Sequence, residues 1–457
     1  MITRSENQTI IAQCTPNGSG ALALLRLSGP QALIIAERMS TLASGIAITQ
    51  VPSHTIHYGT IQDMDNHTID QVLFIVMHAP KTFTGEDTIE ITTHNNVFII
   101  EAIIARAIAC GARLAHNGEF TQKAVLNNKI DLLQAEAINE LIHANTQQAL
   151  KKSLAQVEGS FSAHISSIEK TLIKLLALSQ ASFEFLDEEN MEFNTPIINH
   201  IHATLSTIQH LHHNFNQQQQ IRQGIRIAII GSVNVGKSSL FNALIGTARA
   251  IVSPIEGTTR DVIEAGLYKQ GNYWTLVDTA GLRTTHDSIE QEGIRRSFEQ
   301  AQLADVILLA YDGSRMLSNQ EQAVYEQLLN EHQHKAIIVV NKADLYPYTT
   351  QTLQGIAIST VTGDGLAALE KALTAKINSL LHQANAPFLL NKRHYLLLLE
   401  LEKRLLEIIA LLQKKQPPFE LVAIHLTEAL GSIAQLTGKT LSEDAMDAIF
   451  KEFCVGK

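Results

Sequence analysis

Ile225-Arg-Ile-Ala-Ile-Ile230, followed by Gly231-Ser-Val-Asn-Val-Gly-Lys-Ser238, is the stretch on which the reading turns. The first half is a short apolar run rich in β-branched residues, the pattern of a buried strand. The second half has the spacing GxxxxGK[ST], and Ser239–Leu244 continues as a helix, the context this motif requires. Backbone N–H groups from Asn234 to Ser239 can then converge on phosphate oxygens at the helix N-terminus. Lys237 supplies a point charge between the outer phosphates, and Ser238 a hydroxyl for Mg²⁺. The plain alternative is a glycine-containing turn between strand and helix with no ligand.

Three further segments speak against that alternative. Asp278-Thr-Ala-Gly281 follows an apolar strand, where a carboxylate can hold Mg²⁺ through water and Gly281 can offer an N–H to a terminal phosphate. Gly257-Thr-Thr-Arg-Asp261 lies between the two, with a threonine hydroxyl to complete the metal shell. Asn341-Lys-Ala-Asp344 follows the strand Ala336–Val340, and its last carboxylate suits the N1–H and amino group of guanine. Ser359 opens the final loop, near the base. Order and spacing resemble Ras-like GTPases. Leu282 stands after DTAG, where those proteins often place a water-positioning Gln. Leucine cannot orient water, so hydrolysis must be arranged otherwise. Asn234 is either a ligand for a monovalent cation beside the phosphates or a plain polar loop residue.

Working outward, Tyr273–Val277, Val306–Tyr311, Ala336–Val340 and Gly355–Ser359 read as strands with helices between them, a mostly parallel sheet covered on both faces. Before it, residues 1–118 alternate short apolar runs (Ala21–Leu27, Gln71–Met77, Thr88–Thr92) and include one helix, Asn96–Cys110: a compact α+β domain. Ala135–Leu154 and Ile165–Leu178 have helical periodicity, and Asn214–Gln220 (NFNQQQQ) reads as a polar boundary. His394–Leu412, Pro418–Leu436 and Ser442–Phe453 are helical again, so two helical segments flank an inserted α/β domain and are expected to pack as one bundle.

The length of 457 residues fits about three domains. Apolar residues at 45% and charged residues at 18% exclude a wholly disordered chain. Aromatics are 5%, so the core must rest on Leu, Ile, Val and Ala. No 18-residue apolar run exists, Met1–Gln13 is no secretory signal, and three separated cysteines form no CxxC pair. The expectation is a soluble, reduced, cytoplasmic protein. A net charge of −10 argues against a bulk electrostatic grip on nucleic acid.

Motifs in every part of the chain carry a more specific resemblance. They are Gln13-Cys-Thr-Pro16, Leu25-Arg-Leu-Ser-Gly29, Phe83-Thr-Gly-Glu-Asp87, Asn117-Gly-Glu-Phe-Thr-Gln-Lys123 with the helix that follows, and the terminal Cys454-Val-Gly-Lys457. From about residue 9 to the end the sequence resembles the MnmE (TrmE) family of tRNA modification GTPases. The resemblance implies a tetrahydrofolate-binding and dimerisation domain over 1–118, a helical domain over 119–220 and 381–457, and a Ras-like G domain over 221–380. It implies a homodimer that works with the FAD-containing partner MnmG, in a heterotetramer or larger complex. The product is a carboxymethylaminomethyl or aminomethyl group on carbon 5 of the wobble uridine of certain tRNAs. A 5-formyl- or methylene-tetrahydrofolate supplies the one-carbon unit, and potassium-dependent pairing of G domains activates GTP hydrolysis. No membrane is involved.

Site residues carry over position by position. The phosphate loop gives Asn234, Val235, Gly236, Lys237, Ser238 and Ser239. The first switch gives Ser253, Pro254, Ile255, Glu256, Gly257, Thr258 and Thr259, and the second gives Asp278, Thr279, Ala280 and Gly281. Asn341, Lys342, Ala343 and Asp344, with Ser359 and Thr360, fall around the base. Mg²⁺ falls to Ser238 and Thr259. Potassium falls to Asn234, Ser253, Ile255 and Thr258. Catalysis falls to Lys237, Asn234 and a switch glutamate acting through a bridging water; Glu290 has the Glu-x-x-Gly spacing, with Glu292 a competitor. Folate contacts fall to Arg26, Glu90, Lys129 and Lys457. Cys454 is a nucleophile, a redox-active thiol or a small buried side chain.

The chain departs from the family at His94-Asn95-Asn96, in place of His-Gly-Gly, where Asn can tolerate a left-handed turn. It also departs at His116-Asn117, Lys123 and Leu186. His200, His202, His210, His212 and His213 cluster without a matching acid or Cys pattern, which favours helix-surface polarity over a metal site. Rival readings are a GTP-dependent assembly factor without folate chemistry, and a folate transferase with GTP only regulatory. The first leaves the N-terminal domain and the CVGK end unexplained.

Overall fold

The structure is a computed structural model, and it describes residues 8–456 apart from 17, 19, 185–193, 214, 247–262, 270–271, 279–288, 346–353 and 384–386. The chain divides into two compact units. One comprises Met1–Asn139, Gln156–His200 and Lys403–Lys457; the other comprises Glu140–Ala155 and Ile201–Glu402.

In the first unit the described residues form a seven-stranded sheet: β1 (Ile10–Gln13), β2 (Leu22–Ser28), β3 (Ser40–Leu42), β4 (Thr55–Gln62), β5 (Thr68–Met77), β6 (Thr88–His94) and β7 (Arg113–Leu114), in the order β3-β4-β5-β6-β2-β1-β7. Alternation explains its faces. Ala23, Leu25 and Leu27 of β2 point to one side with Ile89 and Ile91 of β6 and Val72, Phe74 and Val76 of β5. Helices Ala32–Met39 and Val97–Ala109 cover that side with Ile35, Met39, Ile100 and Ile103. Arg26 and Glu90, opposite each other in register, therefore lie on the other face. Helix Glu119–Leu126 sets Phe120 against Ile10 and Ala12 there. Further along, helix Ser160–Glu184 packs along helix Phe419–Thr437, where Ser179 Oγ donates to Phe419 O at 3.2 Å. Lys439 pairs with Glu169 at 2.7 Å.

The second unit holds a six-stranded sheet among the described residues: β8 (Ile225–Ile230), β9 (Ile263–Lys269), β10 (Asn272–Asp278), β11 (Val306–Asp312), β12 (Ala336–Asn341) and β13 (Ile356–Ala357), in the order β13-β12-β11-β8-β10-β9. All neighbours are parallel except β9 and β10. Successive β8 residues feed two cores. Ile225, Ile227 and Ile229 meet Leu240, Phe241, Leu369 and Leu373 of helices Lys237–Gly246 and Leu366–Gln383. Ala228 and Ile230 meet Ala301, Tyr325 and Leu328 of helices Ile289–Leu303 and Asn319–His332. This is the doubly wound pattern, with loops gathered at the C-terminal strand ends.

Several expectations need correction. Strand β9 was not foreseen. The helical run expected over Ala135–Leu154 is two helices, Leu132–Ile142 and Gln147–Val157. The tract read as a polar boundary falls largely within a helix, Phe215–Gln223, that leads into β8. Glutamine has good helix propensity, and Gln218 is 1% exposed because its amide donates to Leu211 O and accepts from Leu390 N. Asn95 and Asn96 are not left-handed. Asn96 is the extended N-cap of helix Val97–Ala109, and its side chain accepts from Phe98 N. Among the described residues no helix is long and apolar enough to cross a membrane.

Candidate functional site

The glycine-bounded loop after β8 is shaped by close approaches. A Cβ on Gly231 would lie 2.2 Å from Ala310 O, so β11 passes too near for any side chain. Gly236 has φ +91°, and a Cβ there would stand 2.3 Å from Asn341 Nδ2. Asn234 is exposed with φ +62°, a conformation Asn adopts more readily than most residues. The loop runs into helix Lys237–Gly246, whose first N–H groups have no partner within the helix. Lys237 is buried, and its Nζ donates to Gly231 O at 2.7 Å and Ser232 O at 2.8 Å. Burial lowers its pKa, and the negative charge of Asp278 opposes that shift. Ser238 Oγ donates to Asp278 Oδ2 at 2.8 Å, and Asp278, ending β10, is 2% exposed. A hydroxyl and a carboxylate beside an anion-binding helix end are a donor set that fits a hard cation such as Mg²⁺.

A second group of loops lies at the ends of β12 and β13. Asn341 Nδ2 donates to Val235 O at 2.8 Å, tying this end of the sheet to the phosphate loop. Its Oδ1 is buried without a hydrogen-bond partner among the described residues. Lys342 (φ +62°) donates to Asp312 Oδ2 at 2.7 Å. Burial pushes the Asp312 carboxyl up, but Lys342 and Ser314 outweigh it and hold it below the usual carboxylate range. Ala343 N donates to Ile358 O, and the fully buried Ser359 accepts from Val361 N and Thr362 N. Asp344 is exposed and Thr360 half-buried. Sequence reasoning missed Asp312, although a polar residue at the C-terminal end of a parallel strand is a signal.

Residues Ser253, Pro254, Ile255, Glu256, Gly257, Thr258, Thr259, Thr279, Ala280, Gly281 and Lys457 lie outside the described residues. So do the side chains of Glu290 and Glu292, whose backbone falls in the first turn of helix Ile289–Leu303.

In the first unit, Arg26 Nη2 and Nε meet Glu90 Oε1 at 2.7 and 2.9 Å, and the guanidinium stands 5.5 Å from the Phe120 ring centroid. The C-terminal tail joins them. Gly456 O accepts from Arg26 Nη1 at 3.5 Å and from Cys14 Sγ at 3.2 Å, and Gly118 N donates to Cys454 O at 3.2 Å. Gly456 has φ +87°. Lys129 donates to Pro80 O at 2.7 Å and runs its stem along Gly85; no contact with Arg26 is described. A carboxylate and a guanidinium beside a docked tail, with the buried Phe120 ring behind the guanidinium, suit a polar heterocycle with an anionic end. Cys454 is exposed, which removes the buried-side-chain reading, and none of the three cysteines is in a disulfide.

At the departure from His-Gly-Gly, His94 Nδ1 lies 2.9 Å from Asp70 Oδ1, and Asp70 accepts from Thr93 Oγ1 and His94 N. Among the described residues, the cluster near enough to share a metal ion is Asp63, Asp65 and His67, and none of the five histidines at 200–213 belongs to it. His212 pairs with Glu402 at 2.7 Å.

Residues 9–129 match the family model described as the GTP-binding protein TrmE N-terminus, and residues 132–454 match the MnmE helical domain. A protein of Chlamydia pneumoniae named tRNA modification GTPase MnmE is 38% identical over 455 residues, 99% of this chain and 100% of its own. One of the same name from Bacillus cytotoxicus is 36% identical over 464 residues, again 99% and 100%. The solved G domain of the T. maritima FeoB iron transporter is 27% identical over 34% of this chain and 98% of its own, with a TM-score of 0.26.

Proposed function

The chain belongs to the MnmE family of tRNA modification GTPases, and from that premise we propose that its GTP hydrolysis drives modification of carbon 5 of the wobble uridine. The proposal includes an aminomethyl or carboxymethylaminomethyl product, a tetrahydrofolate one-carbon donor, a homodimer formed through residues 1–118, and MnmG as partner in the cytoplasm. The G domain is residues 221–380, inserted in a helical domain of 119–220 and 381–457.

The observation that carries the reading is the Ser238–Asp278 hydrogen bond set beneath the phosphate loop. In this reading Lys237 exchanges its two loop carbonyls for the outer phosphate oxygens, and the N–H groups of Asn234–Ser239 hold the rest. Mg²⁺, held through Ser238 and Thr259, neutralises charge on those phosphates when bound. Asp344 reads the guanine edge while the Asn341 bridge to Val235 keeps base and phosphate loops in register. Glu290 orients water in place of the Gln that Leu282 replaces. Asn234 with Ser253, Ile255 and Thr258 would hold potassium, whose charge beside the phosphates would favour pairing of the G domains. Arg26, Glu90, Lys129 and Lys457 hold the folate, and the docking of Gly456 on Arg26 supports the placement of the last of these.

Turnover of GTP and ATP by the full chain tests the nucleotide part. GTP should be strongly preferred, and Lys237→Ala should abolish turnover. Equal rates with both nucleotides would set the assignment aside.

A further inference from the structure

We propose that Tyr325 is a positioning residue for the phosphate loop, acting on Lys237 through the backbone of Gly231 and Ser232. Tyr325 comes from helix Asn319–His332 and is 2% exposed. Its phenol oxygen accepts from Ser232 N at 2.9 Å, and its O–H donates to Ala310 O at 2.9 Å. Ser232 Oγ lies 3.2 Å from the same oxygen. A phenol has one O–H and two lone pairs, so this one is fully engaged. A tyrosine serving only the core needs one partner for its hydroxyl. This one stitches the first turn of the loop to the neighbouring strand.

The connection to chemistry lies in the same peptide segment. The carbonyls of Gly231 and Ser232 are the acceptors of Lys237 Nζ. Gly231 is pressed against Ala310 O, the group that receives the phenol proton. Ala310 O, Tyr325 and Ser232 N thus form a continuous chain from β11 to the carbonyls beneath the ammonium. The helix that carries Tyr325 is itself anchored four residues earlier, at its capping box. Glu321 accepts from Ser318 N within the helix cap and pairs with Arg315. Arg315 is the leading cause that holds the Glu321 carboxyl far below its usual range. The helix thus holds the loop at Ser232 without entering the Asn234–Ser239 arc.

This inference rests on the reading of the loop as the phosphate site for GTP. Tyr325→Phe keeps the ring and its edge contact with Tyr311 but frees Ser232 N. In the full chain, GDP affinity should fall ~10-fold. GMP affinity should change little, because GMP ends before the phosphates that Lys237 meets, and kcat for GTP should fall. Leu328→Ala, buried in the same helix, should lower the melting temperature without changing the GDP-to-GMP affinity ratio. Equal losses for GDP and GMP in Tyr325→Phe would overturn the proposal. Wild-type protein that binds GDP no better than GMP would remove the phosphate-site reading itself, and the proposal with it. If Tyr325→Phe does not fold, 3-fluorotyrosine at position 325 keeps the shape and weakens the acceptor of Ser232 N–H. A smaller but still GDP-selective loss is then expected, and an unchanged ratio overturns the proposal.

Discussion

Replacing Gly456 by alanine is the sharpest perturbation of the C-terminal tail. At φ +87° an alanine costs about 1–2 kcal/mol from its own Cβ. That Cβ would also sit 2.6 Å from Gln13 O and 2.8 Å from Cys14 Cα. Neither neighbour is the end of a flexible side chain, so relief requires the tail to shift by roughly half an ångström. The contact from Arg26 Nη1 to Gly456 O is already 3.5 Å and is lost by such a shift, while Cys14 Sγ to Gly456 O, at 3.2 Å, weakens. A charged hydrogen bond contributes about 1.5–3 kcal/mol. Because the shift that breaks this contact also relieves much of the Cβ strain, the two costs do not add, and the docked tail should lose about 2–3 kcal/mol, a factor of roughly 30–150 in its population. Calorimetry with 5-formyl-tetrahydrofolate should show affinity reduced by one to two orders of magnitude, with GTP turnover within about twofold of wild type. An unaltered folate dissociation constant in a folded Gly456→Ala protein would refute the claim that the tail completes that site.

Three other outcomes follow from the same geometry. Deleting Lys457 alone should weaken folate binding by roughly one to two orders of magnitude and leave GTP turnover nearly intact; calorimetry showing no change would discard the role assigned to Lys457. Hydrolysis should be faster in potassium than in sodium, and Asn234→Ala should erase the difference; equal wild-type rates in both salts would exclude the cation role. Asp344→Asn should trade GTP for xanthosine triphosphate in a direct titration, and retained GTP affinity would contradict its role at the base.

A fourth concerns pH. Burial raises the Asp70 carboxyl, but hydrogen bonds from Thr93 and His94 outweigh it, so its folded pKa lies below the unfolded value of 3.8. Its contribution is therefore fully present above the unfolded value and is lost as pH falls through the lower, folded one. Asp70→Asn should shrink the stability difference between about pH 6 and about pH 3 in urea unfolding. An identical difference would show that the carboxylate stabilises nothing.

The nucleotide half of the account was legible because its determinants are local. A six-residue apolar strand, two glycines at fixed spacing, and polar residues at the ends of β10 and β12 each announce themselves within a few positions. The family resemblance was likewise carried by short, separated motifs. Strand β9 escaped because Gly266 interrupts its pattern, and the reason for that glycine is Tyr273 packed over it from β10. At the glutamine tract composition reports only polarity, whereas Gln218 is buried by amide bonds to Leu211 and to Leu390, 172 residues away. The Tyr325–Ser232 link joins positions 93 apart and has no sequence signature at all. Arg26 and Gly456, 430 residues apart, could be placed together only through the resemblance.

The central claim is that GTP turnover here serves tRNA modification, and nucleoside mass spectrometry tests it most directly. A strain lacking this protein should lose carbon 5-substituted wobble uridine from its tRNA, regain it with the wild-type chain, and fail to regain it with Lys237→Ala. Unchanged wobble uridine in the deletion strain, or full restoration by Lys237→Ala, would contradict the account.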